Sequence, residues 1–342
     1  MEMEKRNISA DVFMRPTEPV VEQTQAEQVT QNQPVIDVDS ISKPIEEPTT
    51  VNEVTVENIE EIKTEEIAPK KKKDRGDGSV PVVSFKNITQ IFNKGTEREY
   101  KLFENFSLDV PDIPNKGQLV SIMGASGCGK TCLVRLLCDL DTVQRGTVEV
   151  YGKSLKEYGN IPMIFQQYSN FGWFTCLKNV ALVFEIRGFK KQEAEQKAME
   201  LLKLVGLEDK ANNYPDKLSG GQQQRLSIAR CIATNSQIMI FDEATAALDL
   251  VNKRAVQNTI LDIFYESEFD PTILNISHSV DEVAYISNMV IILKPNPCEI
   301  HKIINIHYDG EDEKRRGEWV FETPQYAEYV KMLNKTLEEI CR

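Results

Sequence analysis

The eight residues Gly124 to Thr131, Gly-Ala-Ser-Gly-Cys-Gly-Lys-Thr, have the types and spacing to cradle phosphate. Gly124, Gly127 and Gly129 let the backbone N–H groups of the run, those of Ala125, Ser126 and Cys128 included, turn inward onto oxyanions. Lys130 is placed to reach the β- and γ-phosphates of a nucleotide, and the Thr131 hydroxyl to ligate Mg²⁺. A second chemical pair, Asp242-Glu243, ends the apolar run Ile238-Met239-Ile240-Phe241. There Asp242 would hold Mg²⁺ through water, and Glu243 would polarise an attacking water as a general base. The plainer readings are a ligand-free glycine turn in the first case and a strand running into an acidic loop in the second.

Positioning these groups takes particular elements. Leu119-Val120-Ser121-Ile122-Met123 reads as a buried strand leading into the glycine loop, and Thr131 to Cys138 carries apolar residues at helical spacing. Strand, loop and helix thus stand in the order of a P-loop, with the helix N-terminus adding its partial positive charge. Ile238–Phe241 and Thr272–Ile276 suit central parallel strands, whose carboxyl ends deliver residues to the ligand edge of an α/β sheet. Val82–Phe92 and Tyr100–Val110 alternate as strands joined near Gly95, and Thr147–Tyr151, Ile161–Phe165 and Val290–Leu293 are further strands. Helical periodicity marks Lys191–Val205, with Gly206 as its stop. At the C-terminus Thr323-Pro324 caps a helix whose stripe of Tyr326, Tyr329, Val330, Leu333, Leu337 and Ile340 is packing surface.

Charge is unevenly spread. Residues 1–69 carry 16 acidic and 5 basic residues, −11 of the total −13, so the remainder is near neutral and unsuited to general nucleic-acid binding. That acidic segment, whose one aromatic is Phe13, cannot bury enough apolar surface to offset its ordering entropy and reads as disordered. Lys70–Lys73 follows as a basic linker. Seven cysteines without a CxxC pair or a Cys/His cluster read as thiols of a reducing compartment. Cys128 and Cys132, four apart at a helix N-terminus, predict one accessible and somewhat acidic thiol. No stretch approaches the roughly 20 apolar residues of a membrane span.

Leu218-Ser219-Gly220-Gly221-Gln222 sets small residues and a hydroxyl at a helix N-terminus, a second anion site. Here the chain resembles the ATP-binding-cassette ATPases, whose LSGGQ signature it matches without a change. The resemblance implies an α/β P-loop NTPase core with an antiparallel β subdomain and a helical signature subdomain. It also implies further roles: Gln166 as the Q-loop glutamine touching Mg²⁺ and water, Asp249 as the D-loop aspartate, and His278 as the switch histidine on the γ-phosphate. Phe92, 32 residues before Gly124, resembles the aromatic that stacks on adenine. With one P-loop and one signature in the chain, Ser219, Gly220, Gly221 and Gln222 are expected to act on the nucleotide of another subunit.

Gln166 to Val180, including Trp173 and Phe174, resembles the Q-loop region of nitrate, sulfonate and taurine import ATPases. Trp173 and Phe174 then either line a groove for a membrane partner or pack the helical subdomain internally. Gly172, Ala244-Thr245, Ala246 and Ser279 depart from that group's pattern. The resulting expectation is an ATPase subunit at the cytoplasmic face of a membrane, paired with a second ATPase subunit. It would serve permease subunits and an extracytoplasmic substrate-binding protein, with no nucleic acid. The competing expectations are a soluble cassette ATPase outside transport and a regulatory ATP-binding subunit. The expected domains are residues 1–79 as tail and linker, 80–310 as the ATPase domain and 311–342 as a helical extension.

Overall fold

The computed structural model describes residues 78–340 apart from 115, 267–269 and 312–313, so the acidic tail and the Lys70–Lys73 linker lie outside the described residues. In chain order the first elements are β1 (Val83–Phe92), β2 (Tyr100–Val110), β3 (Gln118–Gly124), α1 (Lys130–Leu137), β4 (Arg145–Val150), β5 (Lys153–Ser154), α2 (Leu155–Tyr158) and β6 (Met163–Ile164). Then come α3 (Cys176–Ile186), α4 (Lys191–Leu204), α5 (Gly220–Ala233), β7 (Ile238–Asp242), α6 (Leu250–Glu266), β8 (Thr272–Ile276), α7 (Val280–Ile286), β9 (Met289–Lys294), β10 (Glu299–Asn305) and α8 (Pro324–Ile340).

One sheet runs β2-β1-β4-β5 and is antiparallel. The other runs β10-β9-β3-β8-β7-β6, parallel except for the edge strand β10. Its central strands β3, β7 and β8 are buried at every position and mostly apolar, because both faces are covered. Val120 and Ile122 of β3, Ile238 and Ile240 of β7, and Leu274 and Ile276 of β8 point into a cluster shared with α1 and the antiparallel sheet. The alternate residues Leu119, Met123, Met239, Phe241 and Ile273 point into a second cluster shared with α3 to α7. Period-two alternation therefore divides one set of hydrophobic runs between two cores. This is the α/β P-loop architecture expected, with its antiparallel sheet and helical layer.

The helical layer begins where Thr175 caps α3, its side chain accepting from the Lys178 N–H at 3.2 Å. Buried Asn179 then ties down the preceding loop. Its amide donates to the carbonyls of Phe171, Phe174 and Thr175, and its carbonyl accepts from Phe171 N–H. β6 is shorter than its apolar run predicts, since Phe165 beyond Ile164 is already exposed at the sheet edge. The region after β9, unreadable by periodicity, holds β10, where only Ile304 is buried. At the C-terminus, fully buried Arg316 donates to the Ser287 carbonyl at 2.7 Å and pairs with both oxygens of Glu311. Val320 and Leu333 join the core under the helices, and the predicted stripe of α8 packs against it.

Candidate active site

The sheet brings the chemical residues to one edge. β3 pairs with β8 and β8 with β7, all parallel, with Ile122 opposite Ile276 and Asp242 opposite Ile276. The glycine loop, Asp242-Glu243 and His278 therefore all leave the carboxyl ends of adjacent strands. At the first of these ends the chain must turn hard. Gly124 has φ +154°, and a Cβ there would press into the Leu293 carbonyl and lie 2.8 Å from Cys128 Sγ, so only glycine fits.

Within the loop, buried Lys130 donates from Nζ to the carbonyls of Gly124 at 2.9 Å and Ala125 at 3.1 Å. Its ammonium is thus held inside the cradle, while Ser126 and Gly127 are exposed. Thr131 Oγ1 lies 3.5 Å from Asp242 Oδ1. Burial pushes the Asp242 carboxyl up, the adjacent Glu243 charge adds to this, and Thr131 and Lys130 act in the opposite direction. A buried carboxylate beside a hydroxyl is a hard-oxygen pair that fits Mg²⁺ held otherwise by phosphate oxygens and water. Among the described residues no cluster of three or more His, Cys, Asp or Glu could hold a metal by itself.

Glu243 follows β7 in the left-handed region at φ 51°, its N–H donating to the Ile276 carbonyl at 3.0 Å. A non-glycine residue in that conformation is strained, and here the strain turns the carboxylate toward β8. His278 Nε2 lies 2.6 Å from Glu243 Oε1. Sequence separates these residues by 35 positions, and adjacent parallel strands join them. A cavity of about 250 Å³ beside the pair is lined by Glu243, Thr245, Ala246, Lys253, Ser277, His278 and Ser279.

Other expected residues stand apart from this cluster. Gln166 is exposed just beyond β6, and Phe92 is exposed at the end of β1. Ser219 is exposed and caps α5: its side chain accepts from Gln222 N–H, and its own N–H donates to Gln222 Oε1 at 2.9 Å. The helix therefore begins at Gly220, directly after the Ser219 cap. A Cβ on Gly220 would press on the Tyr168 hydroxyl, and one on Gly221 would come within 2.8 Å of Asn252 Cβ. Asp249 accepts from the Val251 and Asn252 N–H groups and from the Asn252 amide, so this aspartate orients the side chain that abuts Gly221.

One expectation fails. Cys128 is fully buried, and burial raises its thiol pKa despite nearby Lys130; burial likewise pushes Cys132 up to about 11. Desolvation outweighs the helix N-terminus, so neither is an acidic thiol. Trp173 is 71% exposed, in ring contact with Phe171 and Phe174, and does not pack the interior.

Sequence reasoning missed several residues that shape the site. The Tyr100 hydroxyl lies 3.4 Å from the Gly127 carbonyl, within the glycine loop, and its start-of-strand position in β2 was the available signal. Asn179, fully buried, lies in the Gln166 to Val180 run without a role assigned to it there, and Glu282, almost fully buried, carries no motif signal.

Residues 103–246 match the ABC transporter family. The chain is 36% identical over 273 residues to "Uncharacterized ABC transporter ATP-binding protein MJ0412" of Methanocaldococcus jannaschii, covering 80% of this chain and 96% of that protein. It is 38% identical over 221 residues to the "Methionine import ATP-binding protein MetN" of Escherichia coli K12, spanning 62% of each. Among solved structures it is similar to the dimeric bacterial ABC transporter cassette MJ0796, with a TM-score of 0.57 and 29% identity over 66% of this chain and 99% of that one. The same cassette as a post-hydrolysis dimer bound to ADP and Pi gives a TM-score of 0.56.

Proposed function

The chain belongs to the ABC transporter ATP-binding proteins and is an ATPase, and on that premise we propose that it is the hydrolytic subunit of a membrane importer working as a pair of cassettes. The observation that carries the reading is the 2.6 Å contact of His278 with Glu243 at the strand edge that also bears the glycine loop. The names of the methionine importers support import, and the cassette dimers support pairing.

In this reading Lys130 exchanges its carbonyl partners for β- and γ-phosphate oxygens of ATP, and the loop N–H groups take the remaining charge. Thr131, Asp242 and Gln166 would hold Mg²⁺, which would supply neutralising charge to the phosphate oxygens. Glu243 accepts a proton from the attacking water as the new O–P bond forms and the γ-phosphorus bond to ADP breaks. His278 orients Glu243 and contacts the γ-phosphate, and Phe92 stacks on adenine. Ser219, Gly220, Gly221 and Gln222 of the second copy close over the nucleotide, with Asp249 at the seam. The partners are the second ATPase subunit, permease subunits and an extracytoplasmic substrate-binding protein, at the cytoplasmic face of the membrane. The cargo is a small solute. The Q-loop resemblance favours a nitrate-, sulfonate- or taurine-like compound, whereas the named relatives are methionine importers.

Glu243→Gln is expected to keep ATP binding, lower turnover by on the order of 10²-fold and trap an ATP-bound dimer. Normal turnover in that variant would remove Glu243 as the base. Purification of the full chain from membranes, with identification of the co-purifying subunits, tests the transport role; isolation without any membrane-spanning partner counts against it.

A further inference from the structure

Glu282, in the first turn of α7, is a carboxylate with 1% exposure, four residues after His278. Its surroundings are donors on three segments of the chain. Thr245 Oγ1, two residues after Glu243, donates to Oε2. From α6, Gln257 Nε2 donates to the same oxygen at 3.3 Å, and Lys253 Nζ lies 3.7 Å from it. From β8, Asn275 Nδ2 donates to Oε1 at 3.2 Å. The Glu282 N–H in turn donates to Ser279 Oγ, the cap of α7 beside His278.

A carboxylate without a bound proton offers only acceptors, and every partner here offers a hydrogen. Burying such a group is costly unless its oxygens are satisfied, so the arrangement holds only while the four donors stay together. Two of the tethered segments are those that aim the reacting groups. Thr245 belongs to the turn after β7, which is closed by the Ala246 N–H donating to the Glu243 carbonyl at 3.0 Å. Ser279 follows His278 directly, and its N–H donates to Ser277 Oγ at 3.1 Å. Thr245, Lys253 and Ser279 also line the cavity beside the Glu243–His278 pair.

We propose that Glu282 is a positioning residue for hydrolysis, a buried carboxylate that locks the turn carrying Glu243 to the turn carrying His278 and so holds the two side chains in contact. The inference rests on the assignment of Glu243 and His278 made above. Glu282 does not reach the nucleotide; it acts through the two loops.

The Thr245 hydroxyl is the tether to change, because Thr245→Val preserves the branched shape and removes only the donor. In the full-length protein, Thr245→Val is expected to lower kcat by about tenfold with ATP affinity within about twofold of wild type. Thr245→Ser, which keeps the hydroxyl, is expected to restore kcat to within about threefold, and Glu282→Gln, which faces a donor toward donors, to lose at least as much as Thr245→Val. Wild-type kcat in Thr245→Val overturns the proposal, as does a loss that Thr245→Ser fails to restore or one matched by weakened ATP binding. Melting temperatures measured alongside keep this decidable if Glu282→Gln does not fold, since the two Thr245 variants by themselves separate the outcomes. Glu243→Gln run in parallel separates the failures. Normal turnover there removes the assignment on which the proposal rests, whereas an inactive Glu243→Gln beside a fully active Thr245→Val overturns the positioning role alone.

Discussion

The strand edge that carries Lys130, Asp242, Glu243 and His278 and the helix end that carries Ser219 are built in opposite ways. At the edge, Lys130 and Asp242 are buried and Glu243 is held by its backbone and by His278. The tethers run to β3, β8, α6 and α7, so a group there moves only if the core moves. At the helix end, exposed Ser219 and half-buried Gln222 satisfy one another in a capping box, and the groups beneath them serve close approach. A reacting centre needs fixed geometry, and fixed geometry comes from long-range tethers. A surface meant to meet another molecule needs its polar groups locally satisfied, which the Ser219–Gln222 capping box provides.

The largest break in this comparison comes from Lys130→Ala. It is expected to lose ATP binding and at least about 10²-fold in turnover. Unchanged ATP affinity, measured with a fluorescent nucleotide, would show that the buried edge is no phosphate cradle. The helix end is expected to work outward instead. Ser219→Arg alone should be inactive, yet mixing it with Lys130→Ala should raise turnover at least about tenfold above either variant, since one composite site of the mixed dimer then has every part. No gain on mixing, with dimers formed, would mean that both ends serve the same chain's nucleotide.

Smaller effects separate the two glycines. Gly221→Ala drives a methyl into Asn252, whose Cγ would be 2.6 Å away and whose amide is tied to Asp249, so about 1–3 kcal/mol of stability should be lost. Gly220→Ala meets the tip of Tyr168, a side chain 37% exposed and free to swing, and should cost less than about 1 kcal/mol. Equal losses in urea unfolding would contradict the intrachain role of Asn252. The smallest effect is chemical. With its pKa raised to about 11, Cys132 is more fully protonated at neutral pH than an ordinary cysteine, so its alkylation should be slow at pH 7 and quicken as pH rises toward that value. Fast labelling of Cys132 at pH 7 would place the loop's helix in a far more polar setting.

Local chemistry made much of the site legible. The glycine loop, the strand ending in Asp242-Glu243 and the serine cap at Ser219 announce themselves because each depends on neighbours within about eight residues. The hydrophobic runs of β3, β7 and β8 were equally plain, since strands covered on both faces need no polar residues. Helices α3, α6 and α7 were less visible, and β6 was overextended. Their limits are set by burial at a sheet edge or against other helices, which no local pattern records. Cys132 shows the same limit: position beside a helix N-terminus argued for acidity, and burial reversed it.

By itself, then, the amino-acid order determined the glycine loop, the acidic strand end, the serine-capped helix start and the α/β class, because backbone freedom, capping and periodicity are short-range properties. Only the tertiary structure decided that His278 meets Glu243 across paired strands, that Asn252 fills the space a methyl on Gly221 would need, and that Glu282 gathers donors from three segments. Each of these contacts joins residues at least 25 positions apart, with the exception of Asn275 and Glu282, which are separated by seven. Such pairs meet through sheet register and helix packing, and their residue types in isolation carry no sign of the partner.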